Sequence, residues 1–224
     1  MPAREKIQQL ARESYDRGDP IGWFDLVYQD ARGDADNVPW TNQLPNIHLT
    51  TWLSDTHSEN VKNEPHSALV VAAGLGDDAE VLAAKGYQVT AFDISETAVE
   101  WSKRRFPNST VQYVVGDLFD PPTGWKESFD FVFESQTLQA LPWKLREKAV
   151  QQIASFVAPL GTLLVVTLGR DEEDEAGQLP WPLMRRELNG FVGNGLTEID
   201  FRDAKCEGQR RKFVVEYRRE DKPE

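Results

Sequence analysis

The sequence predicts an α/β fold: a mostly parallel sheet with helices on both faces, a helical cap at the N-terminus and an antiparallel hairpin at the C-terminus. Three observations carry that expectation. From Ala68 onward, apolar runs rich in β-branched and aromatic residues alternate with helical stretches, as crossover units on a parallel sheet do. The first 60 residues show helical spacing and no strand signal. At the far end, "LTEIDFRDAK" and "RRKFVVEYRR" flank a short "CEGQ" turn, the pattern of a hairpin.

Ile7, Leu10, Ala11 and Ser14 recur at helical spacing, and "GWFDLVYQDA" repeats the pattern after the break at "GDP". "GDADNVPWTNQLPN" is turn-rich, and Pro39 and Pro45 forbid regular structure, so Trp40 is presented on a loop. "NIHLTTWLSDT" reads as a further helix, completing a cap over residues 1–60 that belongs to the same domain as the sheet region, 61–224. Strands are expected at 68–73, 88–92, 111–115, 129–133 and 162–168, with helices near 77–85, 96–106 and 143–157. Asp77 and Ser95 are the expected N-caps, Gly86 a C-cap and Pro107 a stop.

Composition limits the function. At 224 residues the chain suits one α/β domain, and no apolar run approaches the roughly 18 residues of a membrane span. "MPAREKIQQL" lacks the apolar core of a secretory signal, which predicts a cytoplasmic protein. The single cysteine, Cys206, excludes an internal disulfide, and no His and carboxylate cluster has metal-ligand spacing. A net charge of -12 opposes nucleic-acid binding, so "KRR" at 103–105 and "RRK" at 210–212 read as solvated faces. The expected partner is a small molecule, with a monomer favoured.

The chemistry concentrates in "VVAAGLGDDAE". A strand ending in Gly74-x-Gly76 and feeding a helix lets a nucleotide-type cofactor lie against the backbone at the sheet's C-terminal edge, with Ala73 beside it. Gly74 to Ala79 satisfies the dinucleotide pattern G-x-G-x-x-A. Asp93, nineteen positions past Gly74, ends the second strand where a carboxylate can take both ribose hydroxyls, with Ile94 next to it. Two ligands fit this much. Asp77 and Asp78 open the helix on which a dinucleotide's pyrophosphate would rest, whereas an ammonium and a sulfonium tolerate them. In "VVGDLFD", Asp117 stands where it can accept from an adenine amino group, and Leu118 can offer its N–H to the ring. That pair of carboxylates suits S-adenosylmethionine better than NAD.

The segment "ALVVAAGLGDDAEVLAAKGYQVTAFDISETAVEWSKRRFP", followed by "YVVGDLFD", "FDFVFESQTLQALP" and "LGTLLVV", resembles the class I S-adenosylmethionine-dependent methyltransferases, within them most of all the thiopurine, thiol and halide group. The resemblance runs from Trp23 to the hairpin. It implies a Rossmann-like seven-stranded sheet whose last strand is antiparallel, and S-adenosylmethionine as cofactor, leaving as S-adenosylhomocysteine. It also implies that the loop residue Trp40, in its Pro-Trp pair, closes over the cofactor with Trp23 as a second wall. Where the group usually has a glycine, this chain has Ala72, whose methyl narrows the space near the methionine moiety. An acidic residue after the fourth strand, here Glu134, is implied near the transferring methyl and the cofactor's amino group.

Methyl transfer from a sulfonium needs alignment and exclusion of water, and a general base only if the acceptor must lose a proton. Glu134, Tyr28 and His48 are the candidates for that role, with Gln136 and Trp181 on the acceptor side. Leu179, Leu183 and Met184 are further wall candidates, Arg185 or Arg186 would meet an acidic acceptor, and Trp52, Trp101, Trp125 and Trp143 are expected to pack the core. The expected reaction is in-line transfer to a thiol, a selenium or tellurium species, a halide or a thiopurine-like acceptor. An NAD-dependent oxidoreductase and a non-catalytic S-adenosylmethionine-binding module remain as alternatives.

Overall fold

The computed structural model describes residues 3–56, 66–205 and 210–221. Helices α1 (Ala3–Asp16), α2 (Trp23–Ala31) and α3 (Ile47–Thr56) come first, then β1 (Ser67–Val71), α4 (Asp77–Ala84), β2 (Gln88–Asp93), α5 (Glu96–Arg105) and β3 (Gln112–Val115). β4 (Phe129–Ser135), α6 (Trp143–Phe156) and β5 (Val157–Arg170) continue the alternation. The short β6 (Leu183–Met184), α7 (Arg185–Leu188) and α8 (Gly190–Gly193) precede the hairpin strands β7 (Leu196–Ala204) and β8 (Lys212–Arg219). Eight strands are therefore present among the described residues, against seven expected, since a two-residue β6 leaves no periodic signal. The expected turn at 206–209 lies outside the described residues.

The chain forms two compact units. In the first, Met1–Val61 with Ala72–Asp117, β2 and β3 pair in parallel from Thr90 with Gln112 to Asp93 with Val115. Tyr28, Ala31, Ala35, Val38, Leu75, Ala98 and Trp101 form one core cluster there, with Trp40 packed against it. Ser95 caps α5 as expected, its hydroxyl accepting from the Ala98 N–H at 2.9 Å. Asp25 of α2 adds to that cap by accepting from the Ser95 hydroxyl and, at 3.1 Å, from the Thr97 N–H. At α4 the expected caps each shift by one residue. The N-cap is Gly76, at φ +88°, with Asp77 the first helical residue, and the C-cap is Lys85, with Gly86 following at φ +90°. Glycine takes both left-handed positions because a Cβ there would clash with its own backbone.

In the second unit, Lys62–Val71 with Leu118–Glu224, β1 pairs with β4 and β4 with β5 in parallel, while β8 pairs antiparallel with both β5 and β7. The fold is the expected mixed α/β arrangement with a mostly parallel sheet and an antiparallel C-terminal hairpin. The central strands are buried on both faces: Leu69, Val132, Phe133 and the run Leu163–Val166 have almost no exposure. α6 lays Ala149, Ile153, Ala154 and Phe156 into the interior. Its first residue corrects one expectation. Trp143 is 74% exposed, with the Lys144 ammonium 5.7 Å from its ring, because position 143 begins α6 on the face away from the core. Trp52 and Trp101 are buried as expected, and Trp125 packs edge-on against Phe129 and Phe156.

Candidate active site

The turn after β1 is built from left-handed residues. Ala72, Gly74 and Gly76 have φ of +49°, +56° and +88°. Ala73 donates its N–H to the Phe92 carbonyl at 2.8 Å, which fixes the turn against the end of β2. A Cβ on Gly74 would stand 3.0 Å from the Tyr28 hydroxyl, and one on Gly76 only 2.5 Å from that of Tyr113. The two glycines thus admit neighbouring side chains close to the backbone, whatever else they admit.

Asp93 closes this turn. One carboxylate oxygen accepts from the Gly74 N–H and the other from the Ser95 N–H, both at 2.9 Å. Burial pushes its pKa up to about 6, against the pull of those N–H groups, and the charge of Asp25 pushes the same way. Asp117 lies half-buried two residues past the end of β3, and Ile94 is half-buried beside Asp93.

The acidic start of α4 differs from the simple picture of two like charges. Arg105 grips Asp77 through two bonds of 2.8 Å and also reaches the Leu75 carbonyl, while Asp78 accepts from the Asn46 N–H at 2.6 Å. Asp77 is largely neutralised, so its repulsion of a pyrophosphate is weaker than its sequence position implied.

Four aromatic rings gather in the same unit. Trp23 stacks on Phe24 at 3.9 Å, and Trp40 meets Trp23, Phe24 and Tyr28 edge-on at 6.0, 6.2 and 5.6 Å. The Trp40 indole donates to the Tyr28 hydroxyl at 2.9 Å. Burial, with the Asp93 charge second, raises the Tyr28 pKa well above that of a free phenol, so Tyr28 is placed as a wall that holds Trp40. His48 is half-buried near the start of α3, its N–H bonded to the Asn46 side chain at 2.9 Å. Phe24 gave no separate signal in the sequence; only its place one residue after Trp23 on a helix could have suggested it.

In the second unit Glu134 is fully buried on β4, paired with Val71, the last residue of β1. Its Oε1 accepts from the Thr137 and Leu138 N–H groups at 2.8 and 3.1 Å, capping the 3-10 turn Leu138–Ala140. Its Oε2 has no hydrogen-bond partner among the described residues. Burial drives the Glu134 pKa up to about 7; the two N–H groups, and the Thr137 hydroxyl more weakly, oppose the rise.

Leu118 is buried, and Gln136 is exposed at φ +67° with its N–H on the Val166 carbonyl at 3.0 Å. Trp181 is half-buried and held through its backbone. Leu179 and Leu183 are buried, and Met184 is half-buried. Arg185 is occupied with Glu198, bonding Oε2 at 2.6 Å, and lies 4.1 Å over the Phe201 ring, which leaves it ill-suited to an acidic acceptor. Sequence reasoning missed Gln139, whose buried side-chain oxygen accepts from the Leu168 N–H at 2.6 Å; a glutamine in a helical-looking stretch gives no hint of that bond. Among the described residues no His, Cys, Asp and Glu cluster could hold a metal ion, and no helix is long and apolar enough to cross a membrane.

Comparison with known proteins gives this arrangement its context. Residues 69–165 match the family described as a methyltransferase domain. Over 188 residues the chain is 27% identical to thiopurine S-methyltransferase of Aliivibrio fischeri (strain MJ11), covering 76% of this chain and 83% of that protein. The 1,6-didemethyltoxoflavin-N1-methyltransferase of Burkholderia thailandensis, solved with S-adenosylhomocysteine, shares the fold at a TM-score of 0.67 and 20% identity, over 88% of this chain and 86% of that one. A TehB-like methyltransferase of Corynebacterium glutamicum does so at 0.64 and 17%, over 85% and 100%. The sequence match, the parallel sheet and the glycine turn with its carboxylate agree with an S-adenosylmethionine-dependent methyltransferase, and the chain is similar to the thiopurine S-methyltransferases.

Proposed function

We propose that the protein methylates a small soft nucleophile, a thiol, selenium or tellurium species, halide or thiopurine-like compound, by in-line displacement. The observation that carries this reading is Glu134: a buried carboxyl with one oxygen satisfied by backbone and the other unpartnered is a seat for a cation. Its high pKa means that it stays partly protonated near neutrality when alone. A cationic group beside Oε2 favours the carboxylate.

Bound S-adenosylmethionine supplies a methyl group already activated on sulfur. The chain's own residues then have three tasks. The backbone of Ala73, Gly74 and Gly76 would admit the cofactor closely, Asp93 would accept from its ribose with Ile94 beside it, and Asp117 and Leu118 would receive the adenine. Trp23 and Trp40 cover the site and exclude water, and their ring faces favour a sulfonium. Gln136 and Trp181 line the acceptor.

This reading assigns no proton abstraction: Tyr28 is held neutral by burial, and the free oxygen of Glu134 is given to the cofactor's cation. That supports acceptors that arrive as anions, such as thiolates and halides. The 27% identity to a thiopurine S-methyltransferase supports the same acceptor class.

Two measurements test the reading. Calorimetric titration is expected to show binding of S-adenosylmethionine and S-adenosylhomocysteine and none of NAD. A radiolabelled methyl assay over 6-mercaptopurine, thiophenol, iodide and selenide is expected to label at least one of them. Binding without transfer to any acceptor would leave a cofactor-binding module in place of an enzyme.

A further inference from the structure

The backbone around Trp181 has no regular structure, yet both of its polar groups are held by buried residues of the second unit. The Trp181 N–H donates to the Gln139 carbonyl at 2.7 Å, and the Trp181 carbonyl accepts from Arg146 Nη2 at 3.0 Å. Arg146, 9% exposed, donates its Nε to the Leu141 carbonyl at 3.2 Å and its Nη1 to Glu187 at 2.7 Å. Glu187 turns its other oxygen to the Met184 N–H at 2.8 Å. One guanidinium therefore ties together the residue after the 3-10 turn that Glu134 caps, the Trp181 backbone and the first turn of α7.

Only arginine can do this from one position. Its planar fork carries donors in three directions, whereas a lysine ammonium is a single mobile point. Nor does stability require an ion pair here, since a buried pair replaced by apolar side chains of similar volume commonly leaves a fold as stable as before. What the pair adds is fixed geometry at Trp181.

We propose that Arg146 and Glu187 are positioning residues for the methyl acceptor: they fix the Trp181 wall, and through it the affinity for the acceptor but not for the cofactor. The proposal rests on the reading of Trp181 as an acceptor wall. The test compares Arg146→Lys and the double variant Arg146→Met with Glu187→Met, which leaves no charge unpaired, against the wild type. Four quantities are read: KM and kcat with 6-mercaptopurine and thiophenol, the Kd of S-adenosylmethionine, and amide hydrogen exchange at residues 179–184.

Expected are about a tenfold rise in acceptor KM, kcat within about threefold, cofactor Kd within about twofold, and faster exchange at the Trp181 amide. Arg146→Lys should fall between the double variant and the wild type. An unchanged KM beside faster exchange overturns this inference alone, as does a parallel loss of cofactor affinity, which would mark a merely structural pair. A wild type that methylates neither thiol overturns the acceptor reading and this inference with it.

Discussion

Replacing Glu134 by glutamine should make the stability of the protein relative to the wild type rise progressively with pH. The glutamine oxygen can keep both bonds from Thr137 and Leu138, so the cap survives, and the amide loses only the ability to ionise. In the wild type the folded-state pKa of about 7 stands above the ordinary value of 4.5, so the folded form binds more protons than the unfolded one between them. The stabilising contribution is fully present below pH 4.5 and is lost as pH climbs through 7.

A shift of that size corresponds to about 3 kcal/mol over the whole range, and about 2.5 kcal/mol of it falls between pH 5 and pH 8.5. The amide nitrogen placed at the unpartnered Oε2 position adds a cost of about 1–3 kcal/mol, but one that does not vary with pH. The quantity to follow is therefore the difference in unfolding free energy between the two proteins. Urea melts at half-unit intervals from pH 5 to 8.5 should show the difference moving toward the variant, by about 1 M in midpoint across the series. A difference that stays constant to about 0.5 kcal/mol would refute the assignment of a raised pKa to Glu134.

Three further outcomes are expected. Gly76→Ala and Gly86→Ala impose nearly the same left-handed strain, at φ +88° and +90°, but only the first drives a Cβ to 2.5 Å from Tyr113. In urea melts Gly86→Ala should cost about 1–2 kcal/mol and Gly76→Ala at least about 1 kcal/mol more; equal costs would dismiss the collision. Ala72→Gly relieves a left-handed alanine at φ +49° and should stabilise by about 1 kcal/mol, with a lower midpoint counting against the strain. Trp143→Ser removes a 74% exposed ring and should leave the unfolding free energy within about 0.5 kcal/mol of wild type, readable by urea unfolding.

The strand and helix order was legible because a doubly covered parallel strand must be continuously apolar, and 129–133 and 162–168 are so. The extension of β5 back to Val157 was not, since Pro159, Leu160 and Gly161 read as a turn; the strand carries them as an irregularity in its register with β4, with Leu160 at φ +63°. The glycine turn, Asp93 and Glu134 were legible as residues because each sits at a strand end, a position that sequence order gives directly. Their partners were not: that Arg105 quenches Asp77, or that Gln139 bonds Leu168, depends on contacts 28 and 29 residues apart that no local pattern encodes. The same holds for Tyr28, whose candidacy as a base rested on residue type alone and whose burial against Trp40 emerges only in three dimensions.

The bond from Asp25 to the start of α5 bears on how this protein can be engineered. Because Ser95 and Thr97 rely on a side chain that arrives some seventy residues earlier in the chain, the leading segment is a structural partner of the helix it touches and no detachable accessory. Trimming it to make a minimal enzyme, or grafting in the equivalent stretch of a relative, would leave that helix short of an acceptor at its entrance. Exchange of such segments should succeed only when donor and recipient bring a matching carboxylate.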